Sequence, residues 1–242
     1  MPEVDAVILA GGRGTRLKPY TVSIPKPLVP LGDEPIIEIL LRQLESFGIR
    51  RVHIALGHLA DLMKAYFEQT NSRREIEILC SVEPKPLGTI GPIKQIPGLA
   101  DTFLLLNGDV LTTLPFRDLI DYHRRQGCIA TLAVHRRQIP MDYGVVEVSA
   151  ESRIVGHREK PSLEVCVGMG VCVFEPRVVD HVPQDQRFDI PDLIRTLLQL
   201  GEPIAAYNTD CYWMDIGRPD DYETAHRDYT SSPERFVPTK KC

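Results

Sequence analysis

An apolar run that leads directly into closely spaced glycines constrains the fold of this chain more than any other feature. Val4–Ala10 is apolar except for Asp5, and the next seven residues, 11–17, read GGRGTRL. A short apolar run that ends at glycine is typical of a buried strand. Glycines after such a strand let the backbone approach a ligand and turn its N–H groups toward it, which suits phosphate oxygens. The segment therefore predicts an α/β domain with a phosphate-binding loop.

Two cations accompany this loop and favour a binding function over a simple turn. Arg16 lies at its end, and Lys26 stands between Pro25 and Pro27. A guanidinium fork and a lysine point charge can together neutralise a triphosphate chain. A tight turn without a ligand has no use for these two charges.

Two common glycine loops do not fit. A dinucleotide-binding loop has the spacing GxGxxG at the start of a helix, with an acidic residue about 20 positions later. Here the loop continues into Lys18-Pro19-Tyr20, which cannot begin a long regular helix. A P-loop requires a Lys-Ser/Thr pair after its glycines, and residues 14–16 contain no such pair.

Apolar periodicity along the chain predicts alternating strands and helices. Besides the first strand, we predict strands at 51–56, 75–82, 102–106, 129–134 and 204–213, and helices at 35–47, 59–68, 93–96, 116–126, 190–200 and 219–227. This order is typical of a three-layer, Rossmann-like α/β fold with a mostly parallel sheet, helices on both faces and ligands at the carboxyl ends of the strands. Shorter strands at 144–148, 153–158 and 165–174 predict a small, partly antiparallel lid for a second substrate.

Composition bounds the class of protein. We expect one domain over residues 1–230, with a nucleotide half at about 1–135, a lid at about 140–180 and a flexible tail at 231–242. With 28 Lys and Arg against 33 Asp and Glu, the chain has no general attraction to nucleic acid.

Its six cysteines form no C-x-x-C pair, so free thiols in a reducing cytosol are expected rather than zinc. No run approaches the ~20 apolar residues of a membrane span, and we expect a cytoplasmic protein with no membrane partner.

Two distant aspartates are candidate metal ligands. The strand at 102–106 stops at Asn107-Gly108-Asp109, and a carboxylate at the end of a central strand points into the ligand crevice. If Asp215 approaches the same place, the two carboxylates can hold Mg²⁺, which takes one or two carboxylates plus phosphate oxygens and water. Capping of a turn or helix is the alternative function of either aspartate.

These motifs together resemble the sugar-1-phosphate nucleotidylyltransferase family, whose amino-terminal signature is GGxGTRL followed by PKP. The resemblance extends from Ile8 to about Tyr229, and LGTIG at 87–91 is similar to guanylyltransferases that act on mannose or heptose 1-phosphates. It implies an enzyme that converts an NTP and a sugar 1-phosphate into an NDP-sugar and pyrophosphate, with Mg²⁺ as cofactor.

The resemblance also implies a role for individual residues. Catalysis would depend on Arg16, Lys26 and Asp109, and the metal ligands would be Asp109 and Asp215. The nucleotide would contact Leu9, Ala10, Gly11, Gly12, Gly14, Thr15, Arg16, Glu83, Gly88 and Thr89. The sugar phosphate would contact Asn107, Gly108, Gly144, Glu159 and Lys160. By themselves, Glu159-Lys160-Pro161 is typical of a charged surface turn and Gly144 of a strand bulge.

The sequence constrains the base of the nucleoside triphosphate less than it constrains the type of reaction. An ionised Glu83 only accepts hydrogen bonds, and the guanine edge with N1–H and N2–H₂ offers two donors, so GTP is favoured. Turn capping by Glu83 is an equal alternative, which keeps UTP, dTTP and CTP open. The family that the chain resembles acts on sugar, choline and phosphonate substrates, which keeps non-sugar acceptors open. A non-catalytic nucleotide-sensing subunit is the alternative of another class, but it should lose a metal carboxylate or Lys26. A homo-oligomer is also left open.

Overall fold

The computed structural model describes residues 4–71, 74–99 and 102–237 of the chain. Within these ranges the strands are β1 (Val4–Ala10), β2 (Pro30–Leu31), β3 (Glu34–Pro35), β4 (Arg51–Leu56), β5 (Glu77–Val82), β6 (Thr102–Asn107), β7 (Val110–Thr112), β8 (Ala130–Pro140), β9 (Val145–Val148), β10 (Ile154–Arg158), β11 (Ser162–Phe174), β12 (Ile204–Asn208) and β13 (Trp213–Asp215). The α-helices are α1 (Ile36–Ser46), α2 (Ala60–Thr70), α3 (Phe116–Gln126), α4 (Ile190–Gln199) and α5 (Pro219–Ser231).

A seven-stranded sheet organises the domain, in the order β12-β8-β11-β6-β1-β4-β5. Strand β1 pairs in parallel with β4 and β6, β4 pairs in parallel with β5, and β8 pairs in parallel with β12. Strand β11 alone in this sheet runs antiparallel to both of its neighbours, β6 and β8. The predicted, mostly parallel sheet is therefore confirmed.

Helices cover both faces of the sheet, as predicted. Side chains alternate along the central strands: Ile8 and Leu104 pack into a core on one face, whereas Val7 and Phe103 pack into a core on the other. Helices α1, α2 and α3 contribute to the first core, and α4 with the 3₁₀ segments Gly91–Gln95 and Pro176–His181 contributes to the second. Since both faces of the strands are buried, the strands read as nearly continuous apolar runs.

The predicted strand at 204–213 is wrong, because it consists of two separate elements. Strand β12 extends the main sheet beside β8, and after a short loop β13 pairs antiparallel with β7 in a sheet of its own. Strand β7 directly follows the Asn107-Gly108-Asp109 turn and was not predicted. This second pairing decides where Asp215 lies.

The carboxyl-terminal segment also differs from the prediction of a flexible tail at 231–242. Helix α5 continues to Ser231, and Phe236 is fully buried. The Phe236 ring packs edge-on against Tyr212 with centroids 5.1 Å apart, and its carbonyl oxygen accepts a hydrogen bond from Gln43. An aromatic side chain provides enough apolar area to anchor a short segment. Residues 238–242 lie outside the described ranges.

The region predicted to form a lid is an antiparallel extension of strands β8 and β11 together with a separate hairpin. Strands β9 and β10 form a hairpin, and β8 and β11 continue as an antiparallel pair from Gly168 and Val134 to Ser162 and Pro140. We predicted that the strand now named β8 ends at 134. Its polar continuation, HRRQIP at 135–140, is paired along its whole length with β11. Backbone hydrogen bonds, rather than burial of side chains, therefore stabilise this part of the strand. None of the helices that the structure describes is both long and apolar enough to cross a bilayer.

A buried histidine is expected to make folding stability sensitive to acid. His123 is fully buried, with its ring nitrogens 2.8 Å from Thr131 Oγ1 and 2.9 Å from Glu175 Oε1. Burial lowers the pKa of His123, although Glu175 opposes this effect. Below about pH 6.5 the unfolded chain therefore binds a proton that the folded His123 does not, and stability falls as the pH decreases.

Urea unfolding of the wild type and of His123→Gln at pH 7 and pH 5 measures this contribution. We expect the wild type to lose more unfolding free energy between the two pH values than the variant does. Equal losses in the two proteins would contradict the assignment of the pH sensitivity to His123.

Candidate active site

A cavity of about 970 Å³ opens at the carboxyl ends of β1, β4, β5 and β6. This size lies at the upper end of the range for small-molecule sites. Its lining comprises Leu9, Ala10, Gly11, Gly12, Arg13, Thr15, Arg16, Lys26, Pro27, Ala55, Gly57, His58, Glu83, Pro84, Lys85, Pro86, Gly88, Thr89, Pro92, Asn107, Gly108, Asp109, Arg187, Asp189 and Asp215. Most of the predicted site residues therefore lie on one cavity.

The glycine loop forms one rim of this cavity. After β1 the chain turns at Gly14, where φ is +59°, and enters a single 3₁₀ turn at Thr15–Leu17. The Gly14 carbonyl oxygen accepts hydrogen bonds from Leu17 N at 2.9 Å and from Thr21 Oγ1 at 2.7 Å. Gly14 thus shapes the turn and is not part of the lining. At Gly12 a Cβ would meet nothing within 4 Å, so the backbone there is open to a ligand.

Two carboxylates, those of Asp109 and Asp215, lie close to each other beside the glycine loop. In the β7–β13 ladder Asp215 pairs with Val110, and Ile216 N donates a hydrogen bond of 3.0 Å to the Asp109 carbonyl oxygen. Burial raises the pKa of Asp215, and the nearby negative charge of Asp109 raises it further. The positive charges of Lys26 and Arg16 act in the opposite direction. The structure therefore brings the two predicted metal ligands and both predicted cations together.

Each cation has a defined position beside this pair. Lys26 Nζ donates a hydrogen bond to Asp109 Oδ2, in an ion pair that is mostly shielded from solvent. The guanidinium carbon of Arg16 lies 3.6 Å from the place where a Cβ would stand on Gly217, so Arg16 reaches from the glycine loop to the end of β13. Both charges can therefore act on an anion bound between the loop and the aspartates.

The acidic pair fits a divalent cation. Asp109 Oδ1 is buried and has no hydrogen-bond partner among the described residues, although such atoms are normally satisfied. The described part of the chain contains no group of three or more His, Cys, Asp and Glu side chains that could hold a metal ion. A site with two carboxylates suits Mg²⁺, since this ion completes its shell with phosphate oxygens and water.

Glu83 lies at the floor of the cavity on the side of β5. Its Oε2 accepts a hydrogen bond from Leu87 N at 2.8 Å, so the turn-capping function considered above is present. No hydrogen bond from the described residues reaches Oε1, which faces Gly11 and Gly57 instead. Burial raises the pKa of Glu83, and the bond from Leu87 partly offsets this effect.

A segment that precedes α4 holds the neighbouring loop. Thr89 Oγ1 accepts a hydrogen bond from Ile190 N at 2.8 Å, and Thr89 N donates to Asp189 Oδ1 at 2.9 Å. A Cβ on Gly88 would stand 2.5 Å from the Phe188 carbonyl oxygen. Gly88 and Thr89 line the cavity as predicted, but the Thr89 side chain also serves the amino terminus of α4.

Several lining residues were not predicted from the sequence. Gly57 and His58 directly follow β4, and the rule that ligands bind at the carboxyl ends of strands could have identified them. Lys85 belongs to the loop after β5. Arg187 and Asp189 lie in the loop before α4, which follows no strand of the sheet, and no sequence signal indicated them.

The lid residues are not among the cavity lining. Gly144, Glu159 and Lys160 lie on or beside the β9–β10 hairpin, and a Cβ on Gly144 would stand 3.0 Å from Glu159 Oε2. Lys160 has a φ of +41°, an uncommon conformation for a residue with a side chain. Asn107 and Gly108, the other predicted sugar-phosphate contacts, do line the cavity.

Sequence comparison finds nucleotidyltransferases among the relatives of this chain. A uridylyltransferase for UTP and glucose 1-phosphate from Synechocystis sp. is 35% identical over 93% of this chain and 63% of its own length. A mannose-1-phosphate guanyltransferase, beta-B, from Xenopus laevis is 34% identical over 96% of this chain and 68% of its own length. The chain thus spans about two thirds of the length of these curated relatives.

Solved structures give the same result. HddC from Yersinia pseudotuberculosis superposes with a TM-score of 0.73 at 26% identity, over 93% of this chain and 99% of that one. A second structure of HddC, complexed with GMP-PN, has a TM-score of 0.72 at 25% identity, with the same shares covered. The nucleotidyl transferase family profile matches residues 5–232, which include the glycine loop, Lys26 and both aspartates. This chain belongs to the nucleotidyl transferase family.

Proposed function

We propose that the protein is a magnesium-dependent nucleotidylyltransferase that converts an NTP, preferably GTP, and a sugar 1-phosphate into an NDP-sugar and pyrophosphate. The observation that carries the proposal is one cavity with an open glycine backbone, two adjacent carboxylates and two cations. The names of the relatives support the same reaction type, in which a nucleotide is transferred to a sugar 1-phosphate.

The reaction follows from this arrangement as a direct in-line displacement. An oxygen of the sugar phosphate forms a bond to the α-phosphorus, and the bond from that phosphorus to the bridging oxygen of the β-phosphate breaks. The electron pair of the broken bond leaves with pyrophosphate. A phosphate dianion is already a nucleophile, so no general base is needed. Catalysis then depends on positioning and on charge neutralisation.

Each polar group has a task in that displacement. The N–H groups of Gly11 and Gly12 would bind phosphate oxygens, and Arg16 would stabilise the negative charge that develops on departing pyrophosphate. Lys26, held by Asp109, would face the α-phosphate. Asp109 and Asp215 would hold Mg²⁺, which when bound neutralises and orients non-bridging phosphate oxygens. We assign the acceptor phosphate to Lys160, a role that requires the lid to approach the cavity.

GTP is the favoured nucleotide because Glu83 retains an unused acceptor. With Oε2 engaged by Leu87 N, the free Oε1 is the atom that can accept hydrogen bonds from the guanine edge. The HddC complex with GMP-PN supports a guanine nucleotide. The uridylyltransferase from Synechocystis supports UTP as the alternative.

The acceptor is proposed to be mannose or heptose 1-phosphate, which agrees with the mannose-1-phosphate guanyltransferase from Xenopus laevis. Glucose 1-phosphate is the alternative, suggested by the uridylyltransferase from Synechocystis. We place the reaction in the cytoplasm, because the cysteines of the described residues, Cys80 and Cys166 among them, are free thiols that suit a reducing compartment.

A pyrophosphate-release panel tests the function. Five NTPs are each combined with mannose, heptose, glucose and N-acetylglucosamine 1-phosphates in the presence of Mg²⁺, and reactions without acceptor serve as the control for hydrolysis. We expect acceptor-dependent release that is fastest with GTP and stops when EDTA is added. Absence of release with every pair would contradict the proposed reaction, and faster release with UTP would contradict only the base assignment.

A further inference from the structure

We infer that Gly57 is a positioning residue for base selection, because the space above its Cα is filled by the Glu83 carboxylate. This inference rests on the proposed function, and it assigns a role to a residue that makes no contact with substrate through a side chain.

Three chain segments meet at this point of the cavity floor. Gly11 follows β1, Gly57 follows β4 and Glu83 follows β5, and these three strands are neighbours in the sheet. His58 N donates a hydrogen bond of 3.1 Å to the Gly11 carbonyl oxygen, and Glu83 N donates one of 2.9 Å to the Leu56 carbonyl oxygen. The backbones around Gly57 are therefore held on both sides.

No side chain fits at position 57 while Glu83 keeps its position. A Cβ built on Gly57 would stand 2.5 Å from Glu83 Oε1, 2.8 Å from the Gly11 carbonyl oxygen and 3.0 Å from Gly11 Cα. Nonbonded carbon and oxygen atoms do not approach this closely. A Cβ on Gly11 would likewise stand 2.9 Å from Glu83 Oε1. Two glycines that directly follow adjacent strands thus create the space in which the carboxylate lies.

In a Gly57→Ala variant, the Glu83 carboxylate is the group that is displaced most easily. Its end can rotate about side-chain bonds, whereas the Gly11 carbonyl oxygen belongs to the backbone and is held by His58 N, so it moves less readily. Rotation of the Glu83 side chain would break the bond from Leu87 N to Oε2 and move Oε1 away from the base. Binding of the base would suffer, while Asp109, Asp215 and Lys26, on the far side of the glycine loop, would keep their geometry.

Gly57→Ala is therefore expected to raise the KM for the preferred NTP about tenfold, as for the loss of one or two base hydrogen bonds, with kcat changed less than about twofold. Its preference for the best NTP over the next one should fall by a similar factor. Gly168→Ala is the matched control, because a Cβ there meets nothing within 4 Å. It should behave as the wild type.

A double-mutant cycle separates this effect from general damage to the fold. In a Glu83→Ala background, where no carboxylate occupies the space, Gly57→Ala should raise the KM much less than it does in the wild type, because only its contact with the Gly11 backbone remains. An unchanged KM in Gly57→Ala alone, or the same increase in both backgrounds, would overturn the inference. Thermal unfolding and nucleotide titration without acceptor accompany each variant. If the wild type is inactive, the proposed reaction fails first, and the titrations still test Gly57 through nucleotide affinity.

Discussion

Asp109→Asn is expected to lower kcat by about 10³-fold and to change nucleotide affinity far less. Asparagine has nearly the same shape but no negative charge. The substitution therefore removes the counter-ion of Lys26 and one of the two carboxylates that would hold Mg²⁺. Since the glycine loop and the cavity walls would still hold the nucleotide in the proposed complex, its ground-state binding should persist.

Pyrophosphate release over a range of Mg²⁺ concentrations measures this effect. The variant should need more Mg²⁺ for its residual activity, and calorimetric titration of the nucleotide without acceptor should give an affinity close to that of the wild type. Asp180→Asn, which changes an exposed carboxylate that is not part of the cavity lining, is the matched control and should retain full activity. A normal kcat in Asp109→Asn would refute the assigned role.

Removal of the Arg16 side chain should have an effect of similar size. We expect Arg16→Ala to lower kcat by about 10²- to 10³-fold, because the guanidinium would stabilise charge that appears only as pyrophosphate departs. Arg16 lies between the glycine loop and Gly217, close enough to Asp215 to oppose the raised pKa of that carboxyl group. Its loss should therefore alter the transition state more than nucleotide binding.

Two further variants make this measurement specific. Lys18→Ala removes an exposed cation two residues away that is not part of the cavity lining, and it should leave kcat unchanged. Arg16→Lys keeps the charge but loses the planar fork, so an intermediate rate is expected. If single-turnover rates of Arg16→Ala equal those of the wild type, the arginine has no part in the chemical step.

Local patterns were sufficient for elements whose own residues carry a clear secondary-structure signal. The first strand and the helix at 116–126 have the predicted bounds, because one has an apolar run that ends at glycine and the other has a strong amphipathic period. The loop after β1 and the carboxylate after β6 were found through the rule that ligands bind at the carboxyl ends of parallel strands.

Contacts between distant segments explain the features that were not predicted from the sequence. The stretch at 204–213 is apolar enough for one strand, yet it divides because β12 and β13 bond to partners in different sheets. The segment before α4 has no strand signal. Hydrogen bonds between residues 188–190 and the loop at 87–91 bring Arg187 and Asp189 to the cavity. Phe236 is buried by Tyr212 and Tyr229, which are more than six residues away in sequence.

Short-range patterns in the sequence were enough to predict the α/β class, the glycine loop after β1 and the types of residue that the proposed phosphate chemistry needs. Each of these depends on short-range backbone preference or on the chemistry of single side chains. The packing of distant segments established that Asp215 lies near Asp109, that Glu83 Oε1 lies against Gly11 and Gly57, and that Gly57 leaves room for it. Such contacts join segments tens to more than a hundred residues apart, and their distances depend on the packing of the whole sheet.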